Sequence, residues 1–300
     1  MNQPSSTLPR TPQVLMAEIK DTAPPEGCLA LWFFGQESVV AKGRHTVIYF
    51  DPFFSDHLEQ LHGLKRTYPS LLRPEDADYG DLCLITHEHD DHLDIKTLPA
   101  LAAQCPQMRF LAPACCRPIL EQQCGIAPER IMDALTGQWM ELEGREGERV
   151  RIQPVPAAHE SLEITGGERE HRFVGYLVDI NGVVLYHAGD TVVYPGLPDF
   201  LRKERIDVGM LPINGRDYFR NSRGIVGNMN IREAAEHAAE TGMETVIPLH
   251  YDVFANNSEK PGYFLQELYE RTPEQKCHVM ARGERFVYVS PRAFSGRGLS

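Results

Sequence analysis

The sequence predicts an α/β protein in which two β-sheets lie face to face with helices covering them on the outside. Three observations predict it. β-rich runs open the chain, and a hairpin pattern, HRFVGYLVDI-NG-VVLYHAGD, lies in its middle. Short apolar runs then alternate with helical segments, and the second half repeats the plan of the first. A single doubly wound sheet is the competing architecture, and the hairpins argue against it in favour of mixed sheets.

Residues 1–26 are rich in proline, serine and threonine and lack sustained periodicity, so they are expected to wrap the surface or fray as a leader, with the folded body running over 27–300. From Cys28 to Asp51 two strands are expected, CLALWFFGQESVVAKG and HTVIYFDP, joined by a turn at Lys42-Gly43. DLCLIT is a short apolar strand that delivers the polar loop HEHDDHLD. A helix follows within Ile95 to Gln104, with Asp94 or Thr97 as its N-cap and Pro99 confined to its first turn. MRFLAP reads as a strand, and RPILEQQCG as a helix stopped by Gly125.

In the hairpin, Asn181-Gly182 is the dipeptide that a type I′ turn favours, and Asp190 sits at the outgoing end. Further on, Asn230 and Glu233 have capping-box spacing, the alanines at 234, 235, 238 and 239 are expected to share the packed helix face, and Gly242 stops the helix. ETVIPLH is then a buried strand ending in His250.

The chain has 300 residues, 42% hydrophobic and 24% charged, the balance of an ordinary globular protein. A formal net charge of -12 disfavours nucleic acid as a partner, because polyanion binding needs clustered lysine and arginine. Small anionic substrates are compatible if cations gather locally, and composition leaves a homo-oligomer open. No apolar run approaches a membrane span, and the first residues lack the basic start and apolar stretch of a secretory signal. Seven cysteines without a C-x-x-C pair suggest neither a disulfide framework nor a cysteine zinc site. Reduced thiols point to the cytoplasm.

HEHDDH places three histidines and two aspartates within six positions after a strand. Imidazoles and carboxylates at that density suit zinc, manganese or iron rather than calcium. The stretch from Thr86 to Asp94 resembles the H-x-H-x-D-H signature of the metallo-β-lactamase superfamily, and His159 in PAAHE, Asp190 in YHAGD and His250 in VIPLHYD follow in the family's order. The resemblance implies a four-layer αββα sandwich of the metallo-β-lactamase fold and two divalent metal ions (manganese, zinc or iron). It assigns His87, His89 and His159 to one ion, and Asp91, His92 and His250 to the other, with Asp190 bridging. Glu88 and Asp90 stand at variable places of the motif. His187 is expected to support the ligands without being one.

Within the superfamily, LWFFGQES, LYHAGDT and IPLHYDVFANNSEKP are similar to the L-ascorbate-6-phosphate lactonases. That likeness implies a hydrolase that opens a phosphorylated sugar-acid lactone with a metal-activated water, Asp91 carrying the proton to the leaving oxygen. The segment INGRDYFRNSRGIVGNMN supplies Asn214, Arg216, Arg220, Arg223 and Asn228 before a capped helix, an expected phosphate-binding set because arginine forks match phosphate oxygens. The competing reading makes it a surface loop whose arginines pair with nearby acids. A phosphodiesterase or ribonuclease of the same fold is the alternative activity. A diiron oxygen reductase would carry glutamate where His89 stands, and the full ligand set argues against a metal-free binding module.

Overall fold

β1 (Cys28–Gly35), β2 (Ser38–Lys42) and β3 (Val47–Phe50) make an antiparallel meander, and the parallel strands β4 (Leu82–Leu84), β5 (Arg109–Ala112) and β6 (Ile131–Asp133) extend it. β7 (Met140–Glu143), β8 (Arg149–Pro156), β9 (Val174–Ile180) and β10 (Val183–His187) form a second meander, extended in parallel by β11 (Val208–Pro212), β12 (Thr245–Leu249) and β13 (Lys276–Cys277). The last strand, β14 (Arg285–Val289), returns to pair with β1. Two seven-stranded mixed sheets result in the computed structural model, which describes residues 11–294.

The α-helices among the described residues are α1 (Pro12–Asp21), α2 (His57–His62), α3 (Thr97–Gln104), α4 (Arg117–Gln122), α5 (Leu197–Leu201), α6 (Tyr218–Asn221), α7 (Ile231–Thr241) and α8 (Pro261–Arg271). Alternation along β1 shows the layering. Leu29, Leu31 and Phe33 join Ile152, Tyr176 and Val178 of the facing sheet, whereas Ala30, Trp32 and Phe34 join Leu15 and Ile19 of α1, Leu101 of α3 and Leu120 of α4. Leu201 of α5, Ala234 of α7 and Phe264 of α8 cover the other sheet. Strands buried on both faces explain the continuous apolar runs of β1, β11 and β12. The expected four-layer αββα sandwich is the observed architecture.

The Asn181-Gly182 hairpin is present, with both residues at positive φ (53° and 78°) and Ile180 paired to Val183. The capping box of Asn230 and Glu233 is also formed, and Gly242 ends α7 at φ 68°. Three local expectations are corrected. CLALWFFGQESVVAKG is two strands, because Gly35 and Gln36 take positive φ (101° and 56°) and fold the chain back so that Gly35 faces Ser38. Over residues 11–26 the leader does not fray. Pro12 starts α1 behind the Thr11 cap, Leu15, Met16 and Ile19 are buried, and Lys42 Nζ donates to the Ile19 and Lys20 carbonyls at 2.7 and 2.8 Å near the helix end. The remainder of that expectation, residues 1–10, lies outside the described residues. On α7, Ala239 is exposed and His237 takes the buried position instead.

Asp94 organises the start of α3 from outside it: Oδ1 accepts from the Lys96 and Thr97 amides, and Oδ2 accepts from Thr97 Oγ1. Among the described residues no helix is long and apolar enough to cross a membrane. All seven cysteines are free.

Candidate metal centre and active site

The loops that follow β3, β4, β8, β10 and β12 meet at one edge of the sandwich, and each brings a polar side chain. Asp51 follows β3 and fixes the loop after the adjoining β4: its Oδ1 accepts from Thr86 N at 2.8 Å and its Oδ2 from Thr86 Oγ1 at 2.7 Å. His87, His89, Asp91 and His92 come next. The segment before His159 is tied to the segment after Asp190, with Ala158 N donating to Thr191 Oγ1 at 3.0 Å and Val192 N to Ala158 O at 2.8 Å. Gly189 must be glycine, because its φ is 59° and a Cβ would lie 2.9 Å from Thr86 Cβ and from the Val174 carbonyl. His250 N donates to the Gln36 carbonyl at 2.9 Å, linking the two sheets.

All seven side chains expected to bind metal converge. His87, His89, His159 and Asp190 form one group, and Asp91, His92 and His250 a second; in each, one ligand atom per residue lies within 4.8 Å of the others. Asp190 faces both. Its Oδ2 is 3.4 Å from His159 Nε2, while its Oδ1 is 3.5 Å from His92 Nε2 and 3.4 Å from His250 Nε2. Asp190 Oδ1 and His92 Nε2 are buried without a hydrogen-bond partner, a costly state for protein alone. Cations between these lone pairs would satisfy them, and imidazole with carboxylate is a donor set for a borderline transition ion.

Electrostatics tie the groups together. Burial alone would raise Asp190, yet His250, His92 and His159 hold its carboxyl well below the usual range. Burial opposes charge on His92 too, but Asp190, Asp91 and Asp51 raise it well above the ordinary imidazole value. Burial, with His92 and His89 adding to it, pushes His87 well down.

Several partners were not visible in the sequence. His92 Nδ1 lies 2.8 Å from Asp51 Oδ2, which leaves Nε2 as the nitrogen turned towards Asp190. Gln36 Nε2 donates to Asp91 Oδ2 at 2.6 Å and lies 3.0 Å from His250 Nε2. Phe173 packs on the rings of His87 and His159, with centroids 5.3 Å away in both cases. Gln36, Asp51 and His250 all have positive φ (56°, 40° and 56°), backbone strain concentrated at the site. That clustering has no signature in composition or spacing.

Glu88 lines the cavity but joins neither group: its Oε1 accepts from Arg172 Nε at 2.6 Å, and Arg172 also grips Glu163 at 2.9 Å, pinning two loops together. Glu88 also lies with Cys115 and Cys116; the guanidinium takes its Oε1, while Oε2 is buried without a hydrogen-bond partner. Asp90 is 3.6 Å from His62. His187 supports without joining either group: Nε2 lies 2.9 Å from the Glu37 carbonyl, Nδ1 accepts from Gly189 N, and the ring stacks on Phe50.

A cavity of about 370 Å³ opens over His89, Asp91, His159, Asp190 and His250. Leu58, Leu64, Ile225, Val226 and Phe254 give it an apolar wall, and Gly224, Asn256 and Asn257 also line it. The five residues expected to grip phosphate do not line it. Arg216 is forked onto Glu233, both nitrogen–oxygen distances being 2.5 Å, and also donates to the Asn228 carbonyl. Arg220 donates to the carbonyls of Asn214 and Ser258 and lies 3.5 Å from Asp217. Asn214 and Asn228 are buried and bonded to each other. Arg216 and Arg220 are thus paired with nearby oxygens, as the competing surface-loop reading describes. Arg223 is exposed, one residue before Gly224 at the cavity wall.

Residues 46–251 match the family described as "Beta-lactamase superfamily domain". The chain is 25% identical over 284 residues to the protein named "Probable L-ascorbate-6-phosphate lactonase UlaG" of Escherichia coli O127:H6, covering 85% of this chain and 78% of that one. A metallo hydrolase of the archaeon Ignicoccus hospitalis superposes with a TM-score of 0.64 at 23% identity, covering 87% of this chain and 98% of that one. An isothiocyanate hydrolase from Delia radicum gut bacteria gives a TM-score of 0.65 at 16% identity, covering 86% and 98%. These two likenesses establish the fold. The family match spans more than half of the chain and includes every residue of the two His/Asp groups. The chain therefore belongs to the β-lactamase superfamily domain family, and its buried His/Asp groups give it the metal site of a metal-dependent hydrolase.

Proposed function

We propose that the chain holds two divalent ions, one in each His/Asp group, and hydrolyses the ester bond of a small sugar-acid lactone. The observation that carries the two-ion reading is Asp190, whose two oxygens face the two groups separately. Manganese, zinc and iron all suit the donor set. When bound, such ions supply a water acidic enough to lose its proton near neutral pH and polarise the acyl oxygen under attack.

The protein's own residues then set geometry and move the proton. Asp51 and Thr86 hold His92 with Nε2 turned towards Asp190. Phe173 and the buried histidine rings close the back of the site, so substrate enters from the cavity side. Asp91 faces the cavity with one carboxylate oxygen held by Gln36. It takes the proton released as water oxygen adds to the acyl carbon and delivers it to the ring oxygen as the carbon–oxygen bond breaks, leaving a hydroxy acid.

Support for a lactone comes from the UlaG proteins, which bear that activity in their name. For a phosphorylated lactone a cation next in sequence to the cavity lining is Arg223, exposed beside Gly224. The unpaired thiols accord with a cytoplasmic setting. The test is turnover by the metal-loaded protein of ascorbate 6-phosphate, unphosphorylated lactones and phosphodiesters. Ring opening with about two ions per chain is expected. Cleavage of phosphodiesters with no lactone opened replaces this reading with the phosphodiesterase one.

A further inference from the structure

Three asparagine amides run in series towards the cavity. Asn228 Nδ2 donates to Asn214 Oδ1 at 3.1 Å, and Asn214 Nδ2 donates to Asn257 Oδ1 at 2.9 Å. Asn214 and Asn228 are fully buried, whereas Asn257 is half-buried and lines the cavity. Because the Asn257 carbonyl oxygen is held inward, its amide nitrogen is the group left for the cavity.

The direction of the series follows from its buried end. As arranged, Asn228 keeps one buried acceptor, Oδ1, without a partner. Reversed, every link would still form, but an Asn228 donor would be stranded in the interior, and buried donors without partners are rarer than under-satisfied carbonyls. The backbone locks the two buried members side by side: Gly215 N donates to the Met229 carbonyl at 3.0 Å, and a Cβ on Gly227 would lie 2.3 Å from the Gly215 carbonyl oxygen. Two fully buried amides that orient one half-exposed amide make a costly device for a surface turn, and it accounts for Asn214 and Asn228 without phosphate.

We infer that Asn257 is a substrate-binding residue, donating a hydrogen bond to a hydroxyl or ring oxygen of the substrate remote from the acyl group, with Asn214 and Asn228 as positioning residues. The cavity thereby selects oxygen-rich, hydroxylated substrates over deoxygenated ones of the same shape. This rests on the reading of the cavity as the site of a small hydrolysable substrate. The acyl oxygen itself belongs at the His/Asp groups on the cavity floor.

The test uses full-length, metal-loaded wild type, N257A and N257D with a hydroxylated γ-lactone and its deoxygenated parent. Calorimetric binding of the two corresponding ring-opened acids accompanies the turnover. In N257D the Asn214 link can persist, since the carboxylate still accepts, but the donors towards the cavity are gone. A structural role would therefore survive in N257D, whereas a donor role fails in both variants. The preference for the hydroxylated lactone, as a ratio of kcat/KM, is expected to fall about three- to tenfold in both, mainly through KM, at unchanged metal content. Wild-type preference retained in N257A, or lost in N257A and kept in N257D, overturns the inference while lactone opening stands. If wild type opens neither lactone but the binding preference among the acids falls in both variants, the inference stands and the lactonase reading fails. Absence of any wild-type preference in turnover and binding overturns it as well.

Discussion

Asp51→Asn isolates the hydrogen bond that orients a candidate metal ligand. The wild-type carboxylate accepts from Thr86 N, Thr86 Oγ1 and His92 Nδ1 at 2.7–2.8 Å, all in the buried interior. Asparagine has the same shape and tolerates the positive φ of 40° at this position. Its oxygen can still serve Thr86 N, but its NH₂ must then face His92 Nδ1. That nitrogen becomes the acceptor, the ring proton moves to Nε2, and the lone pair turned towards Asp190 is lost. Partners of this kind change metal affinity by about 10–100-fold when altered, or roughly 1.4–2.7 kcal/mol. Competition against a metallochromic chelator should show that loss, while urea unfolding of the metal-free protein should move by less than about 1 kcal/mol, since the Thr86 amide keeps an acceptor. Asp51→Ala separates the two effects, stranding the Thr86 amide and hydroxyl at about 1–3 kcal/mol each in the metal-free fold. Wild-type metal affinity in Asp51→Asn would refute the orientation argument.

Asp190→Ala removes the carboxylate shared between both groups and should abolish turnover and lower metal occupancy in elemental analysis, whereas Glu88→Gln, at a residue paired with Arg172, should keep wild-type occupancy. Arg216→Ala should reduce stability by no more than about 1 kcal/mol, because its partly exposed pair with Glu233 is screened; the variant should slow phosphorylated and unphosphorylated lactones equally, and a selective loss on the phosphorylated one would restore the phosphate role. Burial pushes His237 down to about 4 from an ordinary 6.5. The unfolded chain therefore takes up the proton first, and stability present above pH 6.5 declines between pH 6.5 and 4, by about 3 kcal/mol at the limit. Urea midpoints across that range should fall less steeply in His237→Leu, and an unchanged slope would assign the acid sensitivity to other groups.

Four of the seven His and Asp side chains are legible because they fall within six positions of one loop, and the resemblance to the family adds His159, Asp190 and His250 by their order. Asp51 and Gln36 are not legible. Their partners lie 41 and 214 residues away in sequence, and a single polar residue that acts across such a distance leaves no period or motif. The split of the first strand was hidden for a related reason: Gln36 takes a left-handed conformation, here with its side chain in the site, that local propensity disfavours.

In the arginine-rich loop a local carboxylate competes with any ligand for the guanidinium of Arg216. A fork that matches phosphate oxygens matches a carboxylate equally well, so the carboxylate nearest to Arg216 bears on its role. That carboxylate is Glu233, already legible as the third residue of a capping box, where one oxygen accepts from Asn230 N at 3.1 Å. A capping glutamate is anchored at the first turn of its helix and cannot follow a ligand outward. An arginine forked onto it is therefore held back at the helix N-terminus. The cap that ends the loop thus removes one of its cations from the substrate. By the same folding-back of the loop, Asn214 and Asn228 come together behind Asn257, the cavity amide inferred above to meet the substrate.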